Sequence, residues 1–214
     1  SPDSDDAFMF YALAEGKVDT GNLRYAHELS DIESLNQRAR RAELEVTAVS
    51  IHAYAYIWRD YALLGSGSSM GDGYGPRLVS THPCSGDPRA ALRGLRVAVP
   101  GLLTTAYLAL KLFQPDMSEV VMPFDRIEDA VHAGEVDVGL LIHEGQLTYA
   151  DAGLHLWADL GAWWLADTGL PLPLGGNAVR RDLGAPLIEQ IGRDLRASIV
   201  YALVHRAPAL AHAS

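Results

Sequence analysis

Between residues 95 and 142 the sequence alternates short apolar runs with helical patterns, and this alternation restricts the chain to an α/β architecture more tightly than any other feature. Leu95-Arg96-Val97-Ala98-Val99-Pro100-Gly101 reads as a strand and turn. Thr104-Thr105-Ala106-Tyr107-Leu108-Ala109-Leu110-Lys111-Leu112 follows with helical apolar spacing behind two hydroxyl residues that suit a helix start. Residues 120–122 give a second strand, 127–133 a second helix and 136–142 a third strand. That order predicts parallel pairing through right-handed crossovers, because parallel neighbours need a helix on the sheet face to connect them.

The flanking segments extend the pattern. Asp5-Asp6 precedes the apolar run 7–13 and predicts a helix with carboxylates at the positive end of its dipole, closed by Gly16. Residues 23–29 alternate like a strand, and 31–36 predict a short helix with an acidic first turn. Residues 44–49, with β-branched Val46 and Val49, predict a buried strand that delivers Ser50 as the N-cap of a helix over 50–57. The glycine-rich run 65–75 matches neither the phosphate-loop nor the dinucleotide pattern and reads as a flexible loop. Residues 78–80 resume a short strand, and the Pro, Gly, Ser and Cys of 81–88 read as a linker. Alternating prolines force 170–176 to be extended, and 185–205 predict a long amphipathic helix or a helix pair. At 214 residues the chain can bury two small cores. The expected division is a first lobe of 1–82 plus 178–214 and a second lobe of 83–177.

Charge and cysteine usage exclude several classes. A net charge of -10 and a pI near 5.1 argue against nucleic acid and anionic membranes, which call for clustered Lys and Arg. Cys84 is the only cysteine, so an intrachain disulfide and a thiolate zinc site are ruled out, which fits a cytoplasmic location. No run approaches the roughly 18 apolar residues of a membrane span, and Ser1-Pro2-Asp3-Ser4-Asp5-Asp6 lacks the regions of a signal peptide. The first residue is not Met, which leaves the upstream sequence open.

His143 follows the third apolar strand, where ligands bind in open α/β sheets, and its imidazole can accept a proton near neutral pH. Ser50 and the pair Thr104-Thr105 stand at two further strand ends, each beside a helix start whose amides suit a carboxylate. Ordinary capping accounts for either alone. Together, from opposite sides of the linker, the three strand ends form a set, because lobes meet at a cleft. Glu144 is expected to face away from His143, since neighbours on an extended chain point to opposite sides. The eight histidines show no HExxH pattern, which disfavours zinc. Ser50 lacks a GxSxG elbow and Cys84 a neighbouring base, so proton transfer is better supported than nucleophilic attack. Trp163 and Trp164, like Tyr54, Tyr56, Tyr74 and Tyr107, suit either a ligand wall or core packing.

Several ordered blocks carry a family resemblance. Ser1-Pro2-Asp3-Ser4-Asp5-Asp6-Ala7-Phe8-Met9-Phe10-Tyr11-Ala12-Leu13, Val97-Ala98-Val99-Pro100-Gly101, Thr104-Thr105-Ala106-Tyr107, Ile142-His143-Glu144, Asp159-Leu160-Gly161-Ala162-Trp163-Trp164 and Thr168-Gly169-Leu170-Pro171-Leu172-Pro173-Leu174-Gly175 span nearly the whole chain. In order and spacing they resemble the 1,4-dihydroxy-6-naphthoate synthase family of the futalosine route to menaquinone. The resemblance implies a two-lobed type II periplasmic-binding-protein-like α/β fold with a ligand cleft between the lobes. It implies a lyase that converts cyclic dehypoxanthine futalosine to 1,4-dihydroxy-6-naphthoate by carbon-carbon cleavage, with neither a metal nor an organic cofactor. It assigns the proton acceptor to His143 and substrate contacts to Ala48, Val49, Ser50, Thr104 and Thr105. Members of the family carry a short strand before the Ser-Pro motif and a tail beyond the position of Ala207, neither of which is among these residues. His52 stands where the family pattern does not call for a histidine.

Two other readings share the fold. One is a solute-binding protein that grips a small carboxylate without chemistry, which has no need of His143 and would require an export signal. The other is the related chorismate dehydratase, against which the His-Glu and double-Trp blocks weigh. The expected partner is a small-molecule substrate, with no nucleic acid and no membrane, and the reading allows a homodimer.

Overall fold

A computed structural model describes residues 4–213. Ser1, Pro2 and Asp3 of the first resemblance block, and Ser214, lie outside the described residues. The chain divides into two compact units, with boundaries at Ser69/Met70 and Leu174/Gly175. In chain order the elements are α1 (Ser4–Ala14), α2 (Ile32–Ala39), β1 (Val46–Ser50), α3 (Ile51–Ile57), β2 (Tyr61–Gly71), β3 (Arg77–Ser80), α4 (Pro88–Ala91), β4 (Arg96–Val99) and α5 (Thr105–Phe113). They continue with β5 (Ser118–Val121), α6 (Ile127–His132), β6 (Val138–Leu141), α7 (Gly145–Thr148), β7 (His155–Asp159), α8 (Leu160–Thr168), β8 (Leu172–Arg180), α9 (Ala185–Val204) and α10 (Arg206–Ala213).

In the first unit β1 runs antiparallel to β8, with Val46 opposite Val179 and Ser50 opposite Gly175, in a sheet ordered β1-β8-β2. Val49, Ile57, Tyr61 and Ala178 form one core. Tyr11, Ala12, Ala202 and Ala209 form another, where α1 packs on α9 and α10. The Ser198 hydroxyl ties α9 to α1, donating to Met9 O at 2.7 Å and accepting from Leu13 N at 3.3 Å. Asp31 caps α2 as its position predicts, accepting from Ser34 N at 3.0 Å.

Three expectations for this half of the chain are corrected. Residues 23–29 take up no strand pairing; Tyr25 instead donates its hydroxyl to buried Asp194 at 2.8 Å, which fixes the segment through a side chain. Burial and Asp194 push the Tyr25 phenol well above its usual range, so it stays a donor. The glycine-rich run is mostly strand, since β2 reaches Gly71. Gly67, at φ +78, lies against the Asn177 side chain, which donates to Gly67 O at 2.9 Å, and a Cβ there would collide with the amide. The chain crosses between units within β2 and β8, not in the segment 81–88; β3 pairs with β6 and β7 and so belongs to the second unit.

The second unit is built on a sheet ordered β5-β4-β6-β3-β7. β4 is parallel to both β5 and β6, as the alternation predicts, while β3 runs antiparallel to β6 and β7. Val97, Val99, Val138 and Leu140 point to one face, into a core shared with Leu110, Phe113 and Leu160 of α5 and α8. Ala98 and Leu141 point to the other, against Ile127 and Val131 of α6. Both faces are thus covered, which explains why these strands read as continuous apolar runs. Among the described residues no helix is long and apolar enough to cross a membrane.

Candidate functional site

Strand direction gathers one edge of the second unit. β4, β5 and β6 are parallel, and β7 points the same way because both β6 and β7 are antiparallel to β3. Their carboxyl ends therefore lie at a common edge with the amino end of β3. His143 stands there, one residue beyond Ile142, in the turn between β6 and α7. Its backbone has φ +57, a left-handed conformation unusual for a residue with a Cβ. The half-buried imidazole meets the Phe124 ring edge-on, with centroids 5.1 Å apart and planes at 79°. Phe124 comes from the turn after β5, which β4 separates from β6 in the sheet. Glu144 is exposed.

Thr104 and Thr105 begin α5 on the same edge, after β4. The Thr104 hydroxyl is committed twice, donating to Gly101 O at 2.8 Å and accepting from Tyr107 N at 3.1 Å. Thr105 donates to Leu174 O at 2.7 Å. Both threonines are buried, and of the first-turn amides of α5 that of Tyr107 is already taken by the Thr104 hydroxyl. The structure thus brings His143, Thr104 and Thr105 to one sheet edge.

Ala48, Val49 and Ser50 end β1 in the first unit. Ser50 occupies the N-cap position of α3, but its side chain makes no cap bond, which corrects the expected hydroxyl cap. A buried asparagine meets its hydroxyl and its backbone N–H: Asn36 Nδ2 donates to Ser50 Oγ at 3.0 Å, and Ser50 N donates to Asn36 Oδ1 at 2.9 Å. Sequence reasoning missed Asn36, although a polar residue between Leu35 and Ala39 on the buried side of α2 was a usable signal.

A polar network surrounds the His143 turn, and it too was missed. The Gln146 amide lies between Gly75 O and His143 N. Arg77 Nη1 donates to Gln146 O, while Arg77 Nε pairs with Asp159 Oδ2 at 3.2 Å. Asp159 Oδ1 also accepts from Gly161 N and Ala162 N at 3.0 Å each, capping α8. Of the side chains around His143 in this network, Asp159 lies in a block that carries the family resemblance, while Arg77 and Gln146 do not.

The other candidates resolve to packing or to inert groups. Trp163 packs edge-on against Phe113 at 5.3 Å, with the Arg89 guanidinium 5.2 Å from its ring centroid, and Trp164 packs against the same core. Tyr107 donates to Glu119 at 3.2 Å, and burial together with Glu119 pushes its phenol up. Burial and Asp87 push the Cys84 thiol up, the wrong direction for a nucleophile. His52 lies edge-on to Tyr56 on α3, and Tyr56 is exposed.

Comparison with known proteins extends these observations. A family model described as menaquinone biosynthesis matches residues 1–214. The 1,4-dihydroxy-6-naphthoate synthase of Thermus thermophilus is 45% identical over 98% of this chain and 75% of its own length. That of Streptomyces coelicolor is 43% identical over 93% of this chain and 71% of its own. A crystal structure of a protein from Archaeoglobus fulgidus superposes with a TM-score of 0.93 at 52% identity, covering 99% of this chain and 78% of that one. At 10% identity, the periplasmic aliphatic sulphonate binding protein of Escherichia coli gives a TM-score of 0.69 over 99% of this chain and 75% of that one, which shows the periplasmic-binding-protein-like fold. The chain belongs to the 1,4-dihydroxy-6-naphthoate synthase family of menaquinone biosynthesis.

Proposed function

We propose that the chain is a lyase that forms 1,4-dihydroxy-6-naphthoate from cyclic dehypoxanthine futalosine, with His143 as proton acceptor. The observation that carries the reading is the 45% identity to a synthase of that name over 98% of the chain. A neutral imidazole at the carboxyl end of β6 suits removal of a proton beside a carbonyl. The electron pair left behind forms an enolate; on its collapse the carbon-carbon bond breaks, its electron pair leaves with the sugar-derived fragment, and that fragment takes up the proton held by the imidazolium. Formation of the aromatic ring favours that direction. Amides at the start of α5, with Thr104 and Thr105, would hold carboxylate or sugar oxygens, and Ala48, Val49 and Ser50 would supply further substrate contacts. The reaction as written draws on no cofactor, and a biosynthetic enzyme of this kind belongs in the cytoplasm.

Incubating the purified protein with cyclic dehypoxanthine futalosine and detecting the naphthoate by mass tests the reading. Turnover is expected, and His143→Asn is expected to abolish it while leaving folding and substrate binding intact. Absence of product with the wild-type protein sinks the assigned reaction, and undiminished turnover by the variant sinks the base assignment.

A further inference from the structure

The left-handed backbone at His143 costs energy for any residue with a Cβ, so it persists only where its surroundings enforce it. Here one amide is placed to do so. Its neighbours assign the amide orientation: with the nitrogen facing the carbonyl and the oxygen facing the N–H, the Gln146 side chain donates to Gly75 O at 2.6 Å and accepts from His143 N at 3.1 Å. Gln146 N in turn donates to His143 O at 3.1 Å, so both backbone polar groups of His143 meet the same residue.

Gln146 is itself anchored from several sides. Its carbonyl accepts from Arg77, which pairs with Asp159 and lies over the Tyr149 ring at 5.3 Å. Arg77 and Asp159 are half-buried, so their pairing is less screened than a surface ion pair. Gly75, the other partner of the amide, packs so closely on the Gly161 backbone that a Cβ on it would lie 2.9 Å away. The α8 start, the β3 start and the His143 turn are thus tied to one another through Gln146, Arg77 and Asp159.

We propose that Gln146 is a positioning residue for His143, its amide bridging Gly75 O and His143 N to fix the direction of the imidazole. The inference rests on the reading of His143 as proton acceptor. Gln146 acts through His143, so its loss lowers the rate of the chemical step rather than the affinity for substrate. A base displaced by about 1 Å can cost on the order of 100-fold in rate.

The test compares wild type, Gln146→Met, Gln146→Glu and His143→Asn on cyclic dehypoxanthine futalosine, with hydrogen exchange of the His143 amide as a second readout. Methionine keeps the length and loses both bonds: kcat is expected to fall about 10- to 100-fold with KM within about twofold, and protection of the His143 amide to drop while other amides keep theirs. Glutamate restores an acceptor for His143 N, and both kcat and protection are expected to recover part of the loss. A folded Gln146→Met protein with wild-type kcat, a matching change in kcat and KM that points to substrate contact, or unchanged protection at His143 overturns the proposal. If the methionine variant does not fold, the glutamate variant decides: retained protection with kcat within about tenfold of wild type supports it, and lost protection with wild-type kcat overturns it. Amide protection does not depend on the chemical role of the imidazole. A His143→Asn protein that still turns over therefore rejects the base assignment separately.

Discussion

At the residue scale, the hydroxyls at the strand ends are already committed to the protein. Ser50 Oγ accepts from Asn36, and Thr105 donates its proton to Leu174 O, leaving each hydroxyl only part of its hydrogen-bonding capacity for a ligand. Thr105 is 5% exposed and Leu174 is half-buried, so removing the hydroxyl takes a hydrogen bond from the Leu174 carbonyl at a place only partly open to water. Thr105→Val keeps the shape and loses the donor, and it is expected to cost about 1–3 kcal/mol of stability. It is also expected to raise KM, because the α5 start loses its tie to Leu174. Thr105→Ser should restore both. Urea unfolding and steady-state kinetics check this; unchanged stability and unchanged KM in the valine variant would remove Thr105 from both roles.

At the element scale, legibility followed locality. The α2 and α5 starts were readable because Asp31 and Thr104 act on amides three residues away, and β4 and β6 were readable because burial on both faces leaves an unbroken apolar run. The strand ends bearing Ser50, Thr104, Thr105 and His143 followed from that pattern. Their partners did not. Asn36 reaches Ser50 across 14 positions and Arg77 reaches Asp159 across 82, distances at which no periodicity survives. β2 was hidden for the same reason: its glycines read as a loop until β8 supplies the pairing and Asn177 the contact. Gly139 shows a glycine whose need is purely steric. It lies in β6 against α6, where an added Cβ would sit 2.7 Å from Ile127 Cγ2 and 2.8 Å from Val131 Cγ2. Gly139→Ala should therefore overpack this face and cost about 1–3 kcal/mol, read as a lower urea midpoint at unchanged slope. An unaltered midpoint would mean that α6 can retreat without loss, contrary to the packing seen.

At the scale of the whole molecule, each unit carries carboxylates held below their usual range, Asp31 and Asp137 among them, which contribute to how the chain meets acid. In the second unit, hydrogen bonds from the Arg96 side chain, then from Arg96 N, lower Asp137 from its ordinary 3.8. In the first unit, desolvation raises Asp31, but the hydrogen bonds around Ser34 outweigh it and the net shift is down. A carboxylate whose folded value is depressed binds fewer protons in the folded state than in the unfolded one just below 3.8. Its stabilisation is complete above the unfolded value and is lost as pH falls through the folded one. The Arg96 and Asp137 side chains are 50% and 38% exposed, so solvent screens the pair and the effect is modest. Thermal unfolding of wild type and Asp137→Asn, followed from neutral pH to below 3.8, checks the sign. Wild type is expected to have the higher Tm near neutrality, and the gap should close as acid protonates Asp137. A gap that stays constant across that range would show that the Asp137 charge contributes nothing, leaving only the shape of the side chain to account for it.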